Sequence, residues 1–260
     1  MAKFCPLFSG SKANCTYFSK DGQTVLTDVG ASLKATEEAL RQIGDSLDRV
    51  RAILITHSHS DHVAGLSRIV RKYSIPVLAT QTTLQTLWQK NILPPQAGIP
   101  IEEGCEVAGL RVTPFATSHD CPGSCGYRFE LPDGMAVAIC TDLGVVTPEV
   151  KAAILGCRLV LLESNHDLQM LKNGPYPAPL KLRIASDQGH LSNGACSAQL
   201  GGLLESGTTR FILGHLSEQN NLPTLAGQTA RAALCDVRAV EGRDYLLKVA
   251  AAQNRDVIYL

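Results

Sequence analysis

The chain has 260 residues, 45% of them hydrophobic, with 24 basic and 24 acidic side chains and a formal net charge of zero. That length supplies a sizeable core, as one large domain or two fused halves. Balanced charge excludes a global field that would draw the chain onto nucleic acid or membrane, so such binding needs a local patch, and a 5% aromatic content argues against broad base-stacking platforms.

From the N-terminus, residues 3–8, 14–19 and 23–28 read as short strands, with the turn Ser9-Gly10-Ser11-Lys12-Ala13 after the first. Leu33, Thr36, Leu40 and Ile43 recur at helical spacing, which predicts a helix over 32–43 capped by Ser32. Residues 52–56 read as a buried strand. Residues 61–73 read as one helix, whose acidic first residue suits its positive end. A strand at 76–79 and a helix at 82–89 come next. Beyond the Pro-rich link 93–100, strands are expected at 105–107, 110–114, 126–131 and 135–141, a helix at 148–155 and a very apolar strand at 158–163. Residues 165–190, rich in Pro, Gly and Lys, read as a long irregular insertion, a kind of loop that is usually functional or disordered. A helix at 192–205, a strand at 210–213, a helix at 222–234 and strands at 244–249 and 257–260 complete the chain. Hairpins interleaved with βα units predict two mixed sheets covered by helices, and no composition break divides residues 1–260 into separate domains.

Nine cysteines, odd in number and irregular in spacing, point to a reducing cytoplasm rather than a disulfide framework. Cys140 and Cys157 lie in apolar runs and read as small buried hydrophobes. The N-terminus lacks a long apolar leader segment, and no apolar run approaches the length that spans a bilayer.

The chemistry concentrates in Thr56-His57-Ser58-His59-Ser60-Asp61-His62, directly after the apolar run Ala52-Ile53-Leu54-Ile55. Imidazole and carboxylate donors suit Zn²⁺, and also Mn²⁺ or Fe²⁺. His57 and His59, two apart, share one face of extended backbone. Asp61 and His62 come where the chain turns into a helix, so one loop could serve two metals. The same event recurs elsewhere: a short apolar strand ends beside a metal-competent side chain at Asp28, His119, Asp142 and His215. If those strand ends share an edge, the ligands converge.

With those five motifs in that order, the chain resembles the metallo-β-lactamase superfamily of hydrolases over nearly its whole length. The resemblance implies an α/β fold, a four-layer αβ/βα sandwich of two mixed β-sheets flanked by helices, acting as a single hydrolase domain over 1–260. It implies two divalent metal ions, zinc before manganese or iron. His57, His59 and His119 would hold one, Asp61, His62 and His215 the other, and Asp142 would bridge both. Asp28 resembles a buried carboxylate that orients the histidine motif. The segments Ser9-Gly10-Ser11-Lys12-Ala13-Asn14-Cys15, Leu162-Glu163-Ser164-Asn165-His166-Asp167, Lys172-Asn173-Gly174-Pro175-Tyr176-Pro177 and Gly189-His190-Leu191-Ser192-Asn193 narrow the likeness to the YycJ/WalJ-type exonuclease branch.

That branch implies a phosphodiesterase acting on nucleic acid ends, DNA before RNA, working from the 5′ terminus by metal-bridged hydroxide attack on phosphorus. Asp142 would position the metal pair, and Asp61 could accept the hydroxide's proton or orient it. His190, ahead of a helix start, could protonate the leaving oxygen or merely cap the helix. His166 could touch a substrate phosphate or fix Glu163. Lys172, Lys181 and Arg183, or Arg68, Arg71 and Lys72, could form a phosphate-binding stripe. Tyr176 could stack on a base, and Ser9, Ser11 and Asn14 could cradle an anion. Cys121 and Cys125 read as unbridged thiols near the site. The rival function is a small-molecule hydrolase of the same fold, cleaving a thioester, lactone or cyclic phosphodiester.

Overall fold

The computed structural model describes residues 1–260, which fall into two compact units. The first unit comprises Met1–Pro114, Cys121–Cys125 and Ala252–Leu260, and the second Phe115–Asp120 and Gly126–Ala251.

In the first unit, β1 (Ala2–Phe8), β2 (Cys15–Lys20) and β3 (Gln23–Thr27) form an antiparallel meander. β4 (Val50–Leu54), β5 (Val77–Ala79) and β6 (Gly98–Pro100) then add in parallel, and Ile258–Tyr259 closes the other edge to complete a seven-stranded sheet. α1 (Leu33–Gln42) begins where Ser32 Oγ accepts from Ala35 N, as its sequence predicts. The span expected as one helix over 61–73 is instead α2 (Ser60–Val63) and α3 (Leu66–Tyr73). Gly65 separates them. A Cβ at that position would overlap the carbonyl oxygen of Ala31, so the backbones touch there and the helix is interrupted. α4 (Gln81–Gln89) completes the helices of this unit. Its core runs from Leu7, Tyr17 and Leu26 through Ile53 and Ile69 to Leu84 and Leu87.

The second sheet also has seven strands: β7 (Cys105–Val107), β8 (Leu110–Ala116), β9 (Cys125–Glu130), β10 (Ala136–Cys140), β11 (Leu159–Glu163), β12 (Arg210–Gly214) and β13 (Leu246–Val249), in the order β13-β12-β11-β10-β9-β8-β7. β10, β11, β12 and β13 are mutually parallel. Every residue of β10 and β11 is buried, as expected of parallel strands covered on both faces. α5 (Pro148–Ile154) connects β10 to β11, α6 (Leu168–Asn173), α7 (Ala178–Ile184) and α8 (Asn193–Glu205) lie between β11 and β12, and α9 (Pro223–Asp236) connects β12 to β13. The span 165–190, expected as an irregular insertion, therefore carries two short helices, α6 and α7, with irregular segments around them. Asp167 starts α6 by accepting from Gln169 N and Met170 N, and Pro177 and Pro179 sit at the start of α7, where proline is tolerated. Cys140 and Cys157 are fully buried within the apolar packing of this unit.

Candidate metal centre

In the first unit, β3 and β4 are parallel, with Thr27 opposite Leu54, so both strands release their next residues at one edge. Asp28 leaves β3 at a left-handed φ of 60° and is buried. Its Oδ1 accepts from Thr56 N at 2.9 Å and its Oδ2 from Thr56 Oγ1 at 2.9 Å, while Oδ2 also stands 2.8 Å from His62 Nδ1. Burial raises the Asp28 carboxyl pKa, opposed by His62 and the Thr56 bonds. His62 Nδ1 thus faces an acceptor, and its Nε2 faces the amide of Asn14 at 3.0 Å and Asp61 Oδ2 at 3.3 Å. The imidazole rings cluster, His57 lying 4.7 Å from His59 and 4.1 Å from His62 between centroids. His57 and His62 are fully buried, whereas His59 is half-buried.

Asn14, a candidate anion contact by sequence, is buried and ties the ligand loop down. Its Nδ2 lies 3.1 Å from both Gly10 O and Asp61 Oδ2, and its backbone N donates to Asp61 O at 2.8 Å. Ser9 is buried and Ser11 exposed. Ser58 Oγ lies 3.4 Å from Cys121 Sγ, and Cys125 N donates to Thr56 O, so both cysteines border the loop.

In the second unit, parallel register sets Glu163 beside Gly214 and Cys140 beside Leu162, which brings Asp142, Glu163 and His215 to one sheet edge. Asp142 and His215 take left-handed φ values of 61° and 53°. His215 Nδ1 lies 2.7 Å from Glu163 Oε1 and 3.3 Å from Asp142 Oδ1, and His190 Nδ1 lies 2.8 Å from the same Glu163 oxygen. Glu163 Oε2 accepts from Leu143 N and Leu191 N, both at 3.1 Å. Asp142, Glu163, His190 and His215 each offer a donor atom within 4.8 Å of the others. Burial would raise the Glu163 carboxyl, but the charges and hydrogen bonds of His190 and His215 outweigh it and bring the pKa to about 2. Burial would lower His190, but the Glu163 charge and hydrogen bond prevail and raise it.

His119 is buried, with Nδ1 3.1 Å from Gly189 O and Nε2 3.9 Å from Asp142 Oδ1. Its loop is strapped to the end of α7: Arg183 Nε donates to Asp120 Oδ2, Asp120 N donates to Gln188 O, and Ser118 Oγ donates to Asp187 O. His190 follows this strapped segment, and its N donates to Ile184 O at 2.9 Å.

His166 is buried with no partner for Nδ1, and burial lowers its pKa. Lys172 is exposed, Tyr176 half-buried, and Lys181 Nζ donates to Lys172 O at 2.8 Å. No hydrogen bond or ion pair joins these three to a ligand side chain. Reading the motifs does not single out Glu163 as a site candidate, whereas the structure sets it among Asp142, His190 and His215. Its signal is the one that marks Asp28 and Asp142, a lone carboxylate at the end of an apolar strand.

Imidazole nitrogens and carboxylate oxygens at these separations fit a divalent metal of the borderline class. A model of the β-lactamase superfamily domain matches residues 23–216. The chain is 36% identical over 226 residues to the exodeoxyribonuclease YycJ of Bacillus anthracis, covering 86% of this chain and 85% of that protein. It is 34% identical over 232 residues to the exodeoxyribonuclease WalJ of Streptococcus pneumoniae, covering 87% and 86%. Among solved structures, the metallo-β-lactamase fold protein YhfI of Bacillus subtilis superposes with a TM-score of 0.74 at 13% identity, covering 99% of this chain and 98% of that one. The chain belongs to the metallo-β-lactamase superfamily and has its fold, two mixed sheets flanked by helices. It is a metal-dependent hydrolase of the branch that contains YycJ and WalJ. No helix is long and apolar enough to cross a membrane.

Proposed function

We propose that the chain is a DNA exonuclease, a phosphodiesterase that shortens strands from the 5′ terminus, with residues 1–260 working as one hydrolase domain in the cytoplasm. The observation that carries this reading is the pairing of His190 with Glu163 beside Asp142 and His215. It is supported by 36% identity to a protein named an exodeoxyribonuclease. His57, His59 and His119 would hold one divalent metal, Asp61, His62 and His215 a second, and Asp142 both, with zinc before manganese or iron. Two such ions supply an activated water and offset charge on the phosphate.

The chain's own residues do the rest. Asp28 holds His62 in one tautomer, and Asn14 fixes Asp61 beside it. Glu163 plays the same part for His215 and His190. His190, whose pKa the Glu163 charge and hydrogen bond raise against burial, would deliver a proton to the departing sugar oxygen.

The test is incubation of the metal-loaded protein with 5′- and 3′-labelled single- and double-stranded DNA and RNA, with His59→Ala as the control. Release of the 5′ label from DNA by the wild type alone is the expected result. Equal degradation by both proteins, or cleavage confined to thioesters, lactones or cyclic phosphodiesters, would end the nuclease assignment.

A further inference from the structure

One cation beside the ligand loop occupies a position that its own helix does not require. Lys90 and Asn91 leave α4 in a turn fixed by backbone bonds: Lys90 N donates to Thr86 O at 3.0 Å, Asn91 N to Trp88 O at 3.0 Å and Ile92 N to Leu87 O at 2.9 Å. Asn91 takes a φ of 53°, which asparagine tolerates better than most residues. The helix dipole favours a lysine at this end whichever way it points. Lys90 points to the metal loop: its Nζ donates to Ser58 Oγ at 3.4 Å, and Ser58 stands between His57 and His59. Lys72, on α3, is neutralised by Glu37 at 2.7 Å, but Lys90 has no carboxylate partner and no hydrogen bond other than that to Ser58.

The ammonium lines a cavity of about 420 Å³ together with His59, Ser60, Ser67 and Asn91. Ser67, Asn91 and Ile92 also line a larger groove of about 820 Å³ that continues to Arg71 and Trp88. No carboxylate lines either cavity. Next to His59, the half-buried proposed ligand, the chain therefore presents an uncompensated ammonium, a carboxamide and the hydroxyls of Ser58, Ser60 and Ser67, with a second cation, Arg71, further along. A phosphodiester is a monoanion that only accepts hydrogen bonds, and this set of donors is complementary to it.

We propose that Lys90, with Asn91 and Ser67, forms the subsite for the phosphate next to the scissile one, and that the strand continues along the groove toward Arg71. This proposal rests on the nuclease reading and assigns the residues that hold its substrate. Binding is read without turnover by fluorescence anisotropy of a short labelled single strand titrated with the metal-free full-length chain at several salt concentrations. Lys90→Ala weakens Kd about tenfold and makes the slope of log K against log salt shallower by roughly 0.7, the counterion release of one contact on a single strand. Lys90→Arg retains both, and Lys34→Ala, an exposed charge on α1, leaves both as in the wild type. In the metal-loaded enzyme, Lys90→Ala raises KM for the same strand more than it lowers kcat. Identical Kd and salt slope in wild type and Lys90→Ala, with the wild type cutting the strand, overturns the subsite and leaves the nuclease assignment standing. A wild type that neither binds nor cuts any strand overturns both.

Discussion

Glu163 and His190 meet through a single oxygen: Oε1 lies 2.8 Å from His190 Nδ1, and the same atom lies 2.7 Å from His215 Nδ1. One buried carboxylate therefore orients both the proposed proton donor and a proposed metal ligand. Glu163→Gln keeps the shape and removes the charge. The variant is expected to lose roughly 3 kcal/mol of stability at pH 7, the scale of breaking a buried ionic cluster. The sign of the pH dependence comes from a pKa lowered from 4.5 in the unfolded chain to about 2 in the folded one. Stabilisation from Glu163 is fully present above pH 4.5 and is lost as pH falls toward 2. Denaturant titrations of the metal-free protein across that window check it: Glu163→Gln should lack this part of the acid dependence.

His190→Ala tests the proton donor. Removing a general acid costs about 10²–10⁴ in rate where the leaving oxygen needs a proton. Cleavage of an oligonucleotide should fall by that factor, and cleavage of bis(4-nitrophenyl) phosphate, whose leaving group departs as a stable anion, should fall far less. Equal losses on both substrates would count against the role.

Asp28→Asn separates holding a ligand from being one. The amide can still accept from Thr56 N, but it no longer offers His62 Nδ1 a charged acceptor. Metal affinity, read by competition with a coloured chelator, should drop about 10–100-fold, and the overall fold should persist by circular dichroism.

Gly189→Ala probes the strap that carries His190. A methyl group there would overlap the carbonyl oxygens of Ile184 and Arg183, both rigid backbone. A stability loss of roughly 1–3 kcal/mol is expected, measured as a lowered Tm. Because His190 is the next residue, the rate on oligonucleotides should fall as well.

Much of this architecture is legible in the sequence because strands and proposed ligands share one signal. An apolar run that ends in His or Asp marks both where β3, β4, β10 and β12 stop and what they carry. The capping hydroxyl of Ser32 and that of Ser192 are likewise local features. What the sequence hides is tertiary. Gly65 interrupts a helical pattern only because the backbone at Ala31 lies against it. The proline-rich span 165–190 holds the helix α7 because Pro177 and Pro179 fall at its start rather than in its interior. Glu163 reads as the tail of an apolar strand until pairing with β10 and β12 sets it among Asp142, His190 and His215. Lys90 sits beside Ser58 through the packing of a turn 32 positions away, which no spacing announces.

Three of the donor-bearing strand exits, at Asp28, Asp142 and His215, leave in a left-handed turn. Aspartate, asparagine and histidine visit that conformation far more readily than β-branched or long side chains do. The main chain thus filters the alphabet at these positions before any ion has a say. Retuning the centre toward a softer ion by introducing thiolates should meet less resistance at residues 57, 59, 62 and 119, whose backbone imposes no such filter.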